Sequence, residues 1–220
     1  MTIEPIGYFS CAFKTKFGIP RQSGLLPQIQ GKVILNKEWS DGECIRGLES
    51  FDYIWLIWGF SSNRHKASGS TVRPPLLGGN HRMGVFATRS PYRPTPLGLS
   101  SVRLSEITKG NDGQMEIHVL GADLQDGTPI YDIKPYLEYS DSHVGVRCGF
   151  VDDHKWKLLK VKFSDDAITR YNEDEIKLIS DILSLDPRPQ YQEIPDKTYG
   201  MQLGDKDIHF RIDDNCCLVL

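Results

Sequence analysis

Leu99-Ser100-Ser101-Val102-Arg103-Leu104-Ser105-Glu106-Ile107 and Met115-Glu116-Ile117-His118-Val119-Leu120, joined through Gly110-Asn111-Asp112-Gly113, decide the fold. Each run is six to nine residues between turn signals, which is strand length rather than helix length. The glycines between them supply the positive φ that a tight reversal needs. The same texture recurs over most of the first 140 residues. Ile3 to Phe9, Lys32 to Leu35, the aromatic-rich Tyr53 to Phe60, and Met83 to Thr88 all read as short strands, and Asp126-Gly127 is a second strong turn. A short helix is expected around Ile45 to Ser50. Many short strands with Gly/Pro turns and little helix predict a mainly β domain, a barrel or a sandwich, over residues 1–140.

The texture changes after Tyr139. Trp156 to Phe163 reads as a strand. Ser164 is placed to cap a helix running to Leu183, with Asp186-Pro187-Arg188-Pro189 stopping it. Tyr199 to Leu203 and Asp207 to Ile212, around Gly204-Asp205, read as a hairpin. A small α+β domain is therefore expected over residues 150–220.

Composition narrows the function classes. The longest apolar run, Tyr53 to Phe60, is far short of the ~20 residues of a membrane-spanning helix. The start, Met1-Thr2-Ile3-Glu4-Pro5, carries neither a basic nor an apolar leader segment, so secretion is not expected. Five cysteines without a C-x-x-C pair argue against a disulfide framework and a structural zinc site, and fit the reducing cytoplasm. Cys217-Leu218-Val219-Leu220 has the form of a prenylation box, but the residues before it are acidic rather than polybasic, and Cys217 reads as the end of a last strand. The net charge is −3, yet it is segregated. Tyr53 to Ser105 contains no Asp or Glu but holds Arg64, Lys66, Arg73, Arg82, Arg89, Arg93 and Arg103, with His65 and His81. Residues 106–220 carry 13 basic against 23 acidic residues. Segregation of this kind gives a local positive field that the net charge hides, suited to phosphate or carboxylate. The bland alternative is a loop region that merely lacks acids.

No glycine fingerprint of a Rossmann turn, no P-loop and no G-x-S-x-G occurs, and no metal-ligand cluster is visible. Four other constellations carry chemistry. Thr88-Arg89-Ser90-Pro91-Tyr92-Arg93-Pro94-Thr95-Pro96-Leu97-Gly98 has three prolines in six residues. They stiffen the chain and hold Arg89, Tyr92 and Arg93 in place. Asp126-Gly127-Thr128-Pro129 is a turn expected to expose backbone amides and a hydroxyl. In Asp132-Ile133-Lys134-Pro135-Tyr136, strand alternation puts the acid, the amine and the phenol on one face. Gly18-Ile19-Pro20-Arg21-Gln22-Ser23-Gly24 is a polar loop bounded by glycine. A rigid structural loop, a common turn, an exposed strand edge and a surface loop are the respective plain alternatives.

Met83 to Ser100 and Gly121 to Tyr136, read as two motifs, resemble the TsaA/TrmO family of tRNA methyltransferases. Ile6-Gly7, Pro20-Arg21-Gln22 and Asp186-Pro187-Arg188-Pro189 extend the resemblance over nearly the whole chain. Tyr92, Thr95, Leu97 and Gln125 depart from the usual residues, and no charged motif residue is lost. The resemblance implies a single-sheet β-barrel methyltransferase without a Rossmann fold, acting as a homodimer with its donor site near the subunit interface. It implies S-adenosyl-L-methionine as methyl donor and no metal. It implies N6-methylation of threonylcarbamoyladenosine at position 37, next to the anticodon of threonine tRNA. The donor-binding positions it implies are Pro20, Arg21, Gln22, His65, Lys66, Arg89, Leu99, Asp126, Gly127, Thr128 and Pro129. The acceptor is a poor nucleophile while protonated, so a base or a stabilising hydrogen bond is needed. Asp132, Lys134 and Tyr136 are the expected catalytic group, with Asp132 or Tyr136 as proton acceptor. A non-catalytic RNA-binding barrel is the alternative, and a methyltransferase of small molecules or proteins is a third reading.

Overall fold

The computed structural model describes residues 2–62, 69–154, 156–188 and 197–220. Two compact units form. The first comprises residues 1–12, 21–72 and 83–146, and the second residues 13–20, 73–82 and 147–220. The chain thus leaves the first unit twice, in loops whose composition gives no sign of it.

In the first unit, β1 (Gly7–Cys11), β2 (Gln30–Leu35), β3 (Tyr53–Gly59), β6 (Leu97–Lys109), β7 (Met115–Leu120) and β8 (Pro129–Pro135) close a barrel in the order β1-β2-β7-β6-β3-β8. Every pairing in the barrel is antiparallel. Closure leaves no open sheet edge. The lumen is a packed core of Phe9, Val33, Leu35, Ile54, Leu56, Val102, Ile117, Val119 and Ile130. It is tight: a methyl group added at Gly31 would collide with the ring of Phe9, and one at Gly98 with the indole of Trp58. Small residues opposite large ones are what a narrow barrel needs to fill its interior.

Two expectations fail locally. Met83 to Thr88 is not one strand. β5 (Met83–Gly84) pairs only with β4 (Thr71–Val72), and a 3₁₀ turn over Val85–Ala87 follows, closed by Thr88 Oγ1 donating to the Val85 carbonyl at 3.0 Å. Ile45 to Ser50 is not a helix but part of two 3₁₀ turns, Glu43–Ile45 and Leu48–Ser50, separated by Gly47 at φ 86°.

After a single helical turn, α1 (Glu138–Asp141), the second unit pairs β10 (Thr198–Leu203), β11 (Lys206–Asp213), β12 (Cys216–Val219) and β9 (Lys160–Phe163) in that order. The β12–β9 pair is parallel. A further short turn of helix, α2, spans Phe150–Asp153. The helix expected from Ser164 to Leu183 is two: α3 (Asp165–Arg170), capped by Ser164, and α4 (Glu173–Ser184). The break has a cause in the sequence. Asn172 and Glu175 form a reciprocal capping box, satisfying two otherwise unpaired amides and starting a new helix. Phe13 is buried, and Phe17 stacks on Tyr199 and Phe210, so residues 13–20 complete this unit's core. Cys217 is fully buried in β12, and burial pushes its thiol pKa up to about 12. Among the described residues no helix is long and apolar enough to cross a membrane.

Candidate active site

The antiparallel order brings three barrel loops to one end. β1 ends at Cys11 and β2 begins at Gln30; β3 ends at Gly59 and β6 begins at Leu97; β7 ends at Leu120 and β8 begins at Pro129. The loops that close these gaps hold Arg21 and Gln22, the proline segment with Arg89, and the Asp126–Pro129 turn. Hydrogen bonds tie them together. Gly24 N donates to Gly121 O at 2.8 Å, Ser62 Oγ to Gln125 Oε1 at 2.8 Å, and Arg89 Nη1 to Gln22 Oε1 at 2.5 Å. Gln22 Nε2 donates in turn to the Arg21 carbonyl at 2.6 Å, so both ends of its amide are fixed. Arg93 Nη1 donates to Thr88 O at 3.0 Å, bracing the proline segment. An Arg93 N–H is thus spent within its own loop, whereas Arg89 reaches across to another loop.

Beneath Arg89 lies a network that the sequence reading did not single out. Trp58 Nε1 donates to Ser100 Oγ at 2.9 Å, and Ser100 Oγ donates to Asp123 Oδ1 at 2.6 Å. Burial raises the Asp123 pKa above the ordinary carboxylate value. The Ser100 hydroxyl, the backbone amides of Asp123 and Ser23, and the Arg89 charge oppose that rise. The Asp123 carboxyl is thus fixed in place by the Ser100 hydroxyl and lies within electrostatic reach of the Arg89 guanidinium. Its only trace in the sequence is its place in the Gly121 to Tyr136 motif.

The second part of the site is the outer face of three strands. On β3, Ile54, Leu56 and Trp58 fill the lumen, so Tyr53, Trp55 and Ile57 face outward. Residues paired directly across an antiparallel ladder share a face. Ile57 pairs with Leu99 and Asp132, Trp55 with Ser101 and Lys134, and Tyr53 with Arg103, while Tyr136 N donates to Tyr53 O at 3.0 Å. Three ranks result: Leu99–Ile57–Asp132, Ser101–Trp55–Lys134 and Arg103–Tyr53–Tyr136. A β-bulge makes this possible. Trp58 pairs with Ile130 but Ile57 with Asp132, leaving Tyr131 as the extra residue of β8. Ile130 points inward; the extra residue reverses the alternation, so Asp132, Lys134 and Tyr136 point outward while Ile133 packs on the core. Bulges re-aim side chains in this way beside functional sites. Lys134 Nζ lies 3.0 Å from Asp132 Oδ2, and both side chains are about half exposed or more.

Of the residues expected at the site, Arg21, Gln22, Arg89, Leu99, Asp132, Lys134 and Tyr136 lie on this end of the barrel or on the adjoining outer face. Pro20 is counted with the second unit. His65 and Lys66 lie outside the described residues. The Asp126–Pro129 turn differs from expectation. Gly127 N donates to Phe9 O and Thr128 N to Gln125 O. The Thr128 hydroxyl donates to Gln125 O at 2.7 Å, and Asp126 Oδ1 accepts from Cys11 N at 3.0 Å. The Gly127 amide and the Asp126 carboxylate pin the turn to β1, while the Thr128 amide and hydroxyl close the turn on itself. What it presents is shape. Among the described residues, no three His, Cys, Asp or Glu side chains are grouped to hold a metal ion.

The residues present fit a sulfonium amino-acid nucleoside. Arg89 retains guanidinium N–H groups beyond the one given to Gln22, a match for a carboxylate. Leu99 is an exposed aliphatic side chain for an apolar ring or chain, two strand spacings or about 10 Å from Asp132.

Comparison with known proteins agrees with this architecture. Residues 8–142 match the tRNA-methyltransferase O N-terminal domain, and residues 157–220 the TrmO C-terminal domain. A tRNA (adenine(37)-N6)-methyltransferase of Escherichia coli (strain K12) is 36% identical, covering 96% of this chain and 93% of its own length. A Pseudomonas aeruginosa protein that carries the name of an S-adenosylmethionine-dependent methyltransferase is 37% identical, covering 95% and 91%. The crystal structure of TrmO from Pseudomonas aeruginosa superposes with a TM-score of 0.76 at 31% identity, covering 100% of this chain and 97% of that one. With its N-terminal and C-terminal parts each matched by a family model and its whole length by relatives of that kind, the chain belongs to the TrmO family of tRNA methyltransferases.

Proposed function

We propose that this chain methylates N6 of threonylcarbamoyladenosine at position 37 of threonine tRNA, using S-adenosyl-L-methionine, in the cytoplasm and as a homodimer. One observation carries the reading. The Asp132–Lys134 ion pair and the Tyr136 phenol share an outer face whose nearest rank holds Leu99, beside the loop end that carries Arg89 and Gln22. The donor, when bound, supplies a methyl group already activated on sulfonium. The protein's work is then alignment and handling of one proton. Arg89 and Gln22 anchor a carboxylate, Arg21 lies next to them in the chain, and Leu99 covers an apolar portion. Pro20, His65 and Lys66 belong to the same proposed donor set, with the Asp126–Pro129 turn shaping the wall. Asp132 or Tyr136 accepts the proton from the acceptor nitrogen, and Lys134 stabilises the charge that develops. Tyr139 and Val144 are almost fully exposed in the single chain, and Val146 is more than half exposed. Large apolar groups so placed favour burial against a second subunit.

The test is nucleoside mass spectrometry of threonine tRNA incubated with the protein and isotope-labelled donor. The label is expected on threonylcarbamoyladenosine. Label on another nucleoside, or on none, overturns the proposed substrate. A single-chain mass by light scattering overturns the dimer.

A further inference from the structure

We infer that the outer face of β3, with Tyr53, Trp55 and Tyr136, is a stacking platform for unpaired bases of the tRNA loop, flanked by Arg103 for a phosphate. The inference rests on the proposed reading in one respect: it takes the reacting adenosine to lie at Asp132, which then accepts the proton and leaves Tyr136 to stacking.

The rings are grouped rather than scattered. Tyr53 and Tyr136 have centroids 6.2 Å apart at 60°, and Trp55 and Tyr136 are 5.6 Å apart at 45°. Tyr53 is 46% exposed on the outward face of β3, so its ring is open to a stacking partner. The indole is held in place. Trp55 Nε1 donates to Asp141 Oδ2 at 2.8 Å, and the same oxygen accepts from Leu137 N at 3.0 Å. Those two hydrogen bonds, the amide's the larger, hold the Asp141 pKa below the usual carboxylate range. Asp141 is therefore a positioning residue that fixes the ring plane. Ranks succeed one another along the strand at two residues, about 6.6 Å. Tyr53 stands two ranks from Asp132, about 13 Å, the reach of a nucleotide or two from the reacting base.

Arg103 pairs directly with Tyr53 and is exposed. A cation beside aromatic rings is the arrangement that grips single-stranded nucleic acid, since every base has a face to stack and every linkage a charge. Duplex RNA keeps its bases stacked inside and cannot use such a surface. The platform therefore selects loop over stem.

The experiment uses the full chain with two RNA probes of equal length, a stem closed by a seven-nucleotide loop and a blunt duplex. Their affinities for the wild-type protein, Tyr53→Ala, Trp55→Ala, Trp55→Phe and Arg103→Ser are measured across a salt series. Tyr53→Ala and Trp55→Ala are expected to weaken stem-loop binding about tenfold, with duplex binding unchanged. Trp55→Phe is expected to recover most of the loss. Arg103→Ser should reduce the salt slope by about one counterion, and the aromatic variants should not change it. Donor affinity, measured separately by calorimetry, should stay within about twofold for all four. Tyr53 is half exposed, so its replacement leaves the core intact and keeps the test available if Trp55→Ala unfolds. Wild-type stem-loop affinity in Tyr53→Ala overturns the platform, as does an equal loss for both probes or a parallel loss of donor affinity. A protein that methylates its tRNA normally with those affinities unchanged refutes the platform alone. A wild-type protein that labels no tRNA refutes the functional reading, and with it the occupant.

Discussion

Arg89 Nη1 and Gln22 Oε1 are 2.5 Å apart and 67 residues apart in sequence. This hydrogen bond joins the proline-stiffened loop to the loop after β1 at the rim of the barrel. Arg89 is held by its own rigid backbone and by an amide whose other end is bonded to the Arg21 carbonyl. Arg89→Ala removes a charge-assisted donor held at a fixed place on the rim. Such a bond contributes roughly 1.5–3 kcal/mol, about one to two orders of magnitude in donor affinity. Calorimetry with S-adenosyl-L-methionine reads this directly. Gln22→Ala should show a smaller loss, since it loosens Arg89 without removing it. Unchanged affinity in Arg89→Ala takes this residue out of the donor site.

Asp123 makes a prediction that depends on pH. Its pKa is raised mainly by burial, so its ionised form opposes folding. Its contribution to stability is full below the unfolded-state pKa and is lost as pH rises through the raised folded-state value. Asp123→Asn keeps an oxygen for the Ser100 hydroxyl and removes the ionisation. The variant should therefore gain stability relative to wild type as pH increases from 4 to 8. Melting temperatures of both proteins over that range check this. Parallel melting curves would show that folding leaves the Asp123 pKa unshifted.

The barrel was legible because its strands are short, bounded by Gly turns, and far too brief for helices; Met115–Leu120 forms as read. Met83–Thr88 misled because its composition suits a strand, while a 3₁₀ turn at Val85–Ala87, closed by the Thr88 hydroxyl, ends its pairing after Gly84. The one helix that became two shows local capping winning over apolar periodicity at Asn172. At the site, the common face of Asp132, Lys134 and Tyr136 followed from alternation alone. The bulge at Tyr131 that turns this face outward did not, because it depends on how β8 registers against β3. Asp123 escaped notice for a related reason. A loop carboxylate reads as solvated until a serine 23 residues away in the chain is seen to bond it.

The acid-free stretch yields the last prediction. Seven basic and no acidic residues lie between Tyr53 and Ser105, in a chain of net charge −3. On average such a protein repels RNA, so a local field must dominate wherever RNA is bound. Arg103 lies on the outer barrel face, Arg89 at the rim, and Arg73 and Arg82 bound a segment counted with the second unit. Arg64 and Lys66 lie outside the described residues. We propose that this stretch forms part of the tRNA surface. Replacing Arg64, Lys66 and Arg73 together with Ser should weaken tRNA binding and flatten its salt dependence by about two to three counterions, at 0.7–0.9 released per phosphate contact. The same triple change at Lys155, Lys157 and Lys160, in the acidic C-terminal part, should do much less. Gel shifts across a salt series distinguish the two, with donor affinity measured separately because Lys66 is also in the proposed donor set. If the second set weakens binding more than the first, RNA is recognised by the C-terminal part and the basic stretch serves the donor alone.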